Sequence, residues 1–211
     1  MTAENNVAVP EAVGDLARRY RRLERPLSGA VALSVGLLGV AALTLLPLSR
    51  GVLAVAVLIV AVRAPVLRRT GRTVLATDMP PDAVAVDLGS ATPPLLPFQW
   101  GVADSVQRTP DGGRYEFSYL FGLRSLTMET ALRETDAGHE LVVTAADRPW
   151  ATYGITTREE DGRTVVEVEL TSDRRFGLRR VPQWVVAERY REAALETQGY
   201  TVLERESSLG P

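Results

Sequence analysis

The chain has 211 residues, a formal net charge of −2 and no cysteine. The absence of cysteine excludes disulfides, thiolate catalysis and cysteine-ligated zinc. The charge is unevenly divided, since residues 1–72 carry ten arginines against four acids, whereas residues 73–211 carry fourteen arginines against 22 acids. The acidic C-terminal part disfavours nucleic acid as a partner, and the basic N-terminal part suits anionic lipid headgroups.

The basic residues are all arginine, and the sequence contains no lysine. Arginine-only usage with a surplus of acids is typical of a GC-rich genome, and the composition resembles that of halophilic archaeal proteins. The acidic part should repel itself at low ionic strength, where charges are weakly screened.

An amphipathic helix is predicted over residues 11–24, opened by Pro10. Its apolar residues recur at spacings of three and four, and arginines occupy most of the remaining surface. A basic amphipathic helix next to an apolar segment is expected to lie in the membrane interface, with a solvated arginine-rich tail as the alternative. We assign residues 1–26 to a cytoplasmic tail that contains this helix.

Two apolar segments follow the tail. Residues 27–46 contain no charge, and at about 1.5 Å per residue they reach about 30 Å, the thickness of a bilayer's hydrocarbon core. A turn then leads to a second apolar run over residues 52–67, interrupted by Arg63, whose guanidinium would have to snorkel to the headgroups. Residues 27–69 are therefore predicted to form a transmembrane helical hairpin. The alternative is one span followed by a buried soluble helix.

Arginines predict how this hairpin is oriented. Five precede it, four lie at its end, and only Arg50 lies in the connecting turn. By the positive-inside bias, both termini and the soluble domain face the cytoplasm, which gives a two-span protein of the cell membrane. A twin-arginine export signal is the rival interpretation, but no small-residue cleavage site follows the first apolar run.

From residue 72 the hydrophobic pattern changes to a period of two. Asp-Gly and other glycine-containing breaks separate the apolar runs, as in antiparallel hairpins, and the spacing leaves no room for crossover helices. The predicted elements are strands at 72–77, 100–108, 114–121, 125–134, 140–146, 150–158 and 163–172, a short helix at 83–88, a proline-rich connection at 89–97, a long helix at 181–197 and a last edge strand at 200–206.

The long C-terminal helix has two predicted faces. Its polar face comprises Glu188, Arg189, Arg191, Glu192 and Glu196. Its apolar face, expected to cover the sheet, comprises Val186, Ala187, Tyr190, Ala193 and Ala194.

The element order resembles that of the START-like helix-grip (SRPBCC) superfamily, which includes lipid-transport proteins and polyketide cyclase/dehydrase relatives. Locally, residues 77–84 (Thr-Asp-Met-Pro-Pro-Asp-Ala-Val) are similar to its strand-to-helix entry, and residues 97–100 (Pro-Phe-Gln-Trp) to the entry of its second strand. The resemblance covers about residues 72–197. It implies an α+β fold in which a curved antiparallel sheet wraps around the C-terminal helix over residues 72–206, with an apolar cavity between them. A proline-rich segment replaces the family's second short helix.

Aromatic and sulfur-containing side chains are the candidates for lining such a cavity, with tyrosine hydroxyls as polar anchors. Core packing is the alternative for most of them. The candidates are Trp100, Tyr115, Phe117, Tyr119, Met128, Trp150, Tyr153 and Tyr190.

The sequence marks no catalytic group, metal site or cofactor. Its single histidine, His139, lies beside a predicted turn, where a solvated side chain is the default. There is no phosphate-binding glycine motif, and no pair of carboxylates is singled out. An enzyme is therefore less expected than a binding protein.

We expect a membrane-anchored cytoplasmic domain that binds a lipid or isoprenoid without chemistry. One alternative is a cyclase- or dehydratase-like enzyme for a hydrophobic substrate, which would need an inward-facing acid or base. Another is a structural or partner-binding membrane module with a filled core. The expected partners are membrane lipids and an apolar small molecule, and the sequence identifies no protein partner.

Overall fold

The computed structural model describes residues 6–8, 10–119, 122–178 and 181–210. Helices and a single antiparallel sheet make up these residues, which confirms the predicted α+β class. In chain order the elements are α1 (Glu11–Leu45), α2 (Leu48–Arg63), β1 (Arg68–Thr77), α3 (Pro81–Leu88), α4 (Pro97–Trp100), β2 (Ser105–Thr109), β3 (Gly112–Tyr119), β4 (Arg124–Thr135), β5 (Gly138–Ala145), β6 (Arg148–Glu160), β7 (Arg163–Thr171), α5 (Val181–Glu196) and β8 (Thr201–Gly210).

The eight strands form an open sheet in the order β2-β3-β4-β5-β6-β7-β1-β8. Each strand pairs antiparallel with its neighbour, so β2 to β7 form the predicted meander. The first strand lies between β7 and β8, with Thr73 opposite both Val168 and Arg205. The last strand lies at the predicted edge but is longer, ending at Gly210. Residues 120 and 121 of the predicted strand 114–121 lie outside the described residues.

One face of the sheet is covered by chain segments rather than left open. Buried residues of α3, α4 and the connection between them form one cluster with the strands and the end of α5. Trp100 is completely buried there, and its indole Nε1 donates a hydrogen bond to the Pro93 carbonyl at 2.8 Å. The predicted strand over residues 100–108 is therefore shorter, because residues 97–100 close a helical turn and β2 begins at Ser105.

The N-terminal helix differs from the prediction in extent and in position. The expected boundary at residue 26 is not a break, because α1 continues through Pro26. Val13 and Ala17 are buried, and the ring of Tyr20 lies 4.8 Å from that of Phe98. The first turns of α1 therefore pack on the sheet domain, where the sequence predicted a helix in the membrane interface.

The second half of α1 and the whole of α2 form a helical hairpin. A Cβ on Gly51 would meet the Ala42 carbonyl oxygen at 2.8 Å, so the close approach of the helices requires glycine. Apolar side chains on the outer faces of both helices stay exposed, for example Leu37 (61%) and Leu53 (64%). Within the described residues, no helix combines the length and apolarity needed to cross a membrane. Insertion of the hairpin into a bilayer stays a prediction.

Candidate binding cleft

A cleft of about 210 Å³ lies where the sheet meets α1, α4 and the start of α5. It lies beside the filled centre of the sheet and shares Ala151, Tyr153 and Leu170 with that core. Its other side adjoins the base of the helical hairpin through the segment that contains Phe176. Its lining residues are Tyr20, Arg69, Phe98, Gln99, Trp150, Ala151, Tyr153, Leu170, Ser172, Arg174, Arg175, Phe176, Trp184, Ala187 and Arg191.

Aromatic rings and two alanines form the apolar part of the cleft. Trp150 and Tyr153 come from β6, and Tyr153 lies opposite Leu170 of β7. Trp184 and Ala187 are one turn apart on α5 and therefore lie on the same face of the helix. The alanines leave room between the larger rings, so this wall can receive an apolar group.

Beside this wall, three arginines surround a single carboxylate. The guanidinium of Arg69 donates a hydrogen bond to the Glu188 carboxylate at 2.6 Å, and Arg205 donates another to the same group. Arg191 comes only within 3.8 Å of it, beyond hydrogen-bond distance. Each of the four side chains is at most 20% exposed. The cluster therefore holds an excess of buried positive charge.

The pKa values of the cluster reflect this excess. Burial, followed by the nearby charge of Arg191, lowers the pKa of Arg69 to about 10. The same two causes, in the same order, lower the pKa of Arg205. One carboxylate does not compensate three desolvated guanidinium groups, and an added anion would favour their charged forms.

Three buried N–H groups of the cleft's side chains have no hydrogen-bond partner among the described residues. They are Nε of Arg69, Nε of Arg191 and Nε1 of Trp184. A buried donor without an acceptor costs free energy, and in folded proteins an ordered water or a bound ion often satisfies such a donor. The cleft therefore has more hydrogen-bond donors than acceptors, just as the neighbouring cluster has more positive than negative charges.

Two further arginines, Arg174 and Arg175, reach the cleft from the segment between β7 and α5. This segment is fixed by an antiparallel bridge between Phe176 and Leu67, and by a hydrogen bond from the Ser172 hydroxyl to the Arg174 carbonyl at 2.7 Å. A Cβ on Gly177 would meet the carbonyl oxygen of Val62 at 2.8 Å. The two arginines therefore lie at the end of α2.

The eight predicted cavity residues lie in several places. Trp150 and Tyr153 line the cleft. Trp100, Tyr115 and Met128 are buried in the central core, and Phe117 packs against that core. Tyr119 is half exposed at the end of β3, and Tyr190 is half-buried on α5. The structure thus brings two of the eight together at the cleft.

The predicted polar face of the C-terminal helix is wrong for two residues. Glu188 and Arg191 lie on the side of α5 that contacts β1 and β8, together with Ala187 and Leu195. The spacings of three and four among these residues indicate a shared face, but their charge pointed to solvent. The sequence pattern also did not predict that Arg69 contributes to the cleft. The period of two does place Arg69 on the same face of β1 as the buried Leu75.

The cleft's ionisable side chains are arginines and tyrosines, and no histidine, aspartate or glutamate belongs to the described residues that line it. His139 lies on β5, opposite Glu134. The part of the chain that the structure describes has no group of three histidine or acidic side chains able to hold a metal ion. The arrangement can receive an apolar group against its aromatic wall and attract an anion to its arginines.

No protein-family model and no curated protein matches this sequence. Among solved structures, it is similar to the crystal structure of DR_A0006 from Deinococcus radiodurans, at 16% identity and a TM-score of 0.37, with 62% of this chain and 94% of that chain covered. It is also similar to the siderocalin Ex-FABP, at 14% identity and a TM-score of 0.15, with 70% of this chain and 95% of that chain covered.

Proposed function

We propose that this protein is a membrane-anchored, cytoplasmic domain that binds an apolar ligand, a lipid or isoprenoid, in the cleft between its sheet and α5. The observation that carries the proposal is the position of the aromatic cleft at the base of an apolar helical hairpin. A ligand leaving the hydrocarbon phase along the hairpin would meet the cleft first.

The exposed surface of the hairpin supports the anchor. Monomeric soluble proteins rarely expose large contiguous apolar patches. Here the outer faces of α1 and α2 expose large apolar side chains along their length, and Arg50 lies in the first turn of α2, next to the connection between the helices. The basic flanks at the other end suit anionic headgroups and favour cytoplasmic termini.

The size of the cleft limits what it can hold. At about 210 Å³ it is smaller than the roughly 300–1,000 Å³ typical of sites for drug-sized ligands. It therefore suits one end of a ligand, with the remainder in the bilayer or along the hairpin. The filled centre of the sheet supports binding at the rim rather than in the interior cavity that the helix-grip resemblance implies.

A structural or partner-binding module is the second candidate, and the filled core is the observation that favours it. The two candidates differ in whether the cleft takes up an apolar molecule. Trp150 and Trp184 line the cleft, so uptake should change the fluorescence of the protein.

Two measurements on the full chain test the proposal. The chain lacks cysteine, so single cysteines at Ser49 and Ser208 report topology with an impermeant thiol reagent in intact cells. We expect labelling at Ser49 and protection at Ser208. In phosphatidylcholine nanodiscs, a soluble isoprenoid alcohol should shift the tryptophan emission of the parent chain. Labelling at Ser208 would refute the cytoplasmic domain, and unchanged emission would refute the ligand and favour the second candidate.

A further inference from the structure

The cleft is cationic as well as apolar. Arg69, Arg174, Arg175 and Arg191 line it, whereas Glu188, which contacts this cluster, is shared among three guanidinium groups. A cleft built for an apolar ligand alone would not need this charge, because desolvated arginines destabilise a site unless they are paired.

The hydrogen bonds of the cleft indicate that it also lacks acceptors. Arg191 lines the cleft and is 15% exposed, its Nε has no partner among the described residues, and its nearest carboxylate contact is 3.8 Å. The Trp184 indole Nε1, one turn towards the start of α5 from Glu188, also lacks an acceptor within the described part of the chain. Both donors belong to residues that border the aromatic wall. A small anion with several acceptor oxygens would satisfy groups of this kind.

Arg174 and Arg175 lie at the side of the cleft where a ligand would enter from the membrane surface. Both are exposed, and none of the ion pairs among the described residues involves them. Their segment is fixed against the end of α2 through Gly177 and Phe176. If the hairpin is in the bilayer, these guanidinium groups lie at the level where lipid headgroups carry their phosphates.

We propose, resting on the proposed function, that the ligand is an anionic amphiphile whose phosphate or similar group is held by Arg174, Arg175 and Arg191 while its chain lies against Trp150 and Trp184. The arginines select for the charge, and the aromatic wall selects for the chain. A neutral lipid or isoprenoid alcohol fills the apolar part alone and binds less tightly.

The test compares three compounds that separate charge from chain: decyl phosphate, decanol and inorganic phosphate. Each is titrated into the full chain in phosphatidylcholine nanodiscs, and tryptophan emission is recorded. Decyl phosphate is expected to bind at least about tenfold more tightly than decanol, since a charge-assisted hydrogen bond contributes a factor of this order. Inorganic phosphate is expected to bind more weakly than decyl phosphate.

Variants assign the effect to the cleft. In Arg174→Gln/Arg175→Gln, affinity for decyl phosphate should fall about tenfold or more, whereas affinity for decanol should not change. The control Arg124→Gln/Arg133→Gln removes the same charge from exposed positions on β4 and should leave both affinities unchanged. A single Arg191→Gln variant should weaken decyl phosphate binding in the same way.

Each other outcome overturns a defined part of the account. Equal affinities for decyl phosphate and decanol would overturn the anion inference and leave the apolar ligand standing. Inorganic phosphate binding as tightly as decyl phosphate would overturn the amphiphile in favour of free phosphate. Equal losses in the cleft and control variants would show that net charge alone attracts the ligand. No binding of decanol or decyl phosphate would overturn the proposed function as well.

Discussion

The central core and the cleft lie on the same elements but are built on different principles. At the core, Trp100, Tyr115 and Leu195 are fully buried, and the polar atoms of the first two have partners in Pro93 and Thr130. At the other end of β1 and earlier on α5, the inward positions carry arginines and buried donors without acceptors. The core end of the contact between α5 and the sheet is packed for stability. The cleft end keeps hydrogen-bond donors without acceptors, which a ligand would satisfy.

Alanine substitutions of Trp100 in the core and Trp150 in the cleft should show the largest difference in stability between the two regions. Trp100→Ala should lower the free energy of unfolding by about 3–5 kcal/mol, because it opens a cavity in the core and removes one of the two hydrogen bonds that the Pro93 carbonyl accepts. Trp150→Ala, half-buried at the cleft, should cost less than half of this and weaken binding of apolar probes. Chemical denaturation of the two variants side by side gives the comparison. Equal losses of stability would mean that the cleft is part of a close-packed core.

The charged cluster should depend on its one carboxylate. Glu188→Gln removes the partner of three arginines and should destabilise the protein by about 3 kcal/mol. Phosphate added to this variant should restore part of the loss, because an anion that binds only the folded state stabilises it. The exposed Glu196→Gln on the same helix is the control, and thermal unfolding with and without phosphate is the measurement. Equal stability of both variants would contradict the cluster's charge excess.

Alkaline pH should act on the core through Tyr115. Burial raises the pKa of Tyr115 to about 12, above its ordinary value of about 10. The folded state therefore keeps a proton that the unfolded state loses, so this contribution is complete below about pH 10 and lost as the pH rises through about 12. In Tyr115→Phe, the free energy of unfolding should fall by about 3 kcal/mol less than in the parent across that pH window. Identical pH slopes of urea unfolding for parent and variant would refute this assignment.

Salt should have the smallest effect. Residues 73–211 carry eight more acids than arginines, and their repulsion is weakly screened at low ionic strength. Added KCl should therefore raise stability by about 1 kcal/mol or less, as expected for exposed charges. A melting temperature that does not respond to KCl would count against this argument and against the halophile-like interpretation of the composition.

Much of the sheet could be predicted because period-two patterns and turn residues act locally. The Asp161-Gly162 break became a turn with positive φ at both residues, and β7 begins at Arg163 as expected. The α5 prediction ends within one residue of the structure, Thr197 against Glu196. These features depend on neighbouring residues, which the sequence displays directly.

The cleft could be predicted only in part because it depends on contacts between distant segments. Trp100 forms a core contact because residues 97–100 fold into a helical turn, whereas a strand pattern placed it in the sheet. Arg69 meets Glu188 across 119 residues of sequence, whereas Arg205 is only 17 residues from Glu188. Charge alone assigned Glu188 to solvent. Sequence patterns assign charged residues to the surface. This rule fails where paired charged side chains form a cluster in the interior, so the pattern could not predict this cluster.

The most direct test of the central claim is native mass spectrometry of the full chain and two matched variants on α5. Ala187→Trp places an indole in the cleft, whereas Val185→Trp places the same group on the exposed side of the helix. The account predicts an apolar molecule bound to the parent chain and to Val185→Trp, and absent from Ala187→Trp at unchanged folding. The same bound mass in all three proteins, or in none, would contradict a ligand in the cleft.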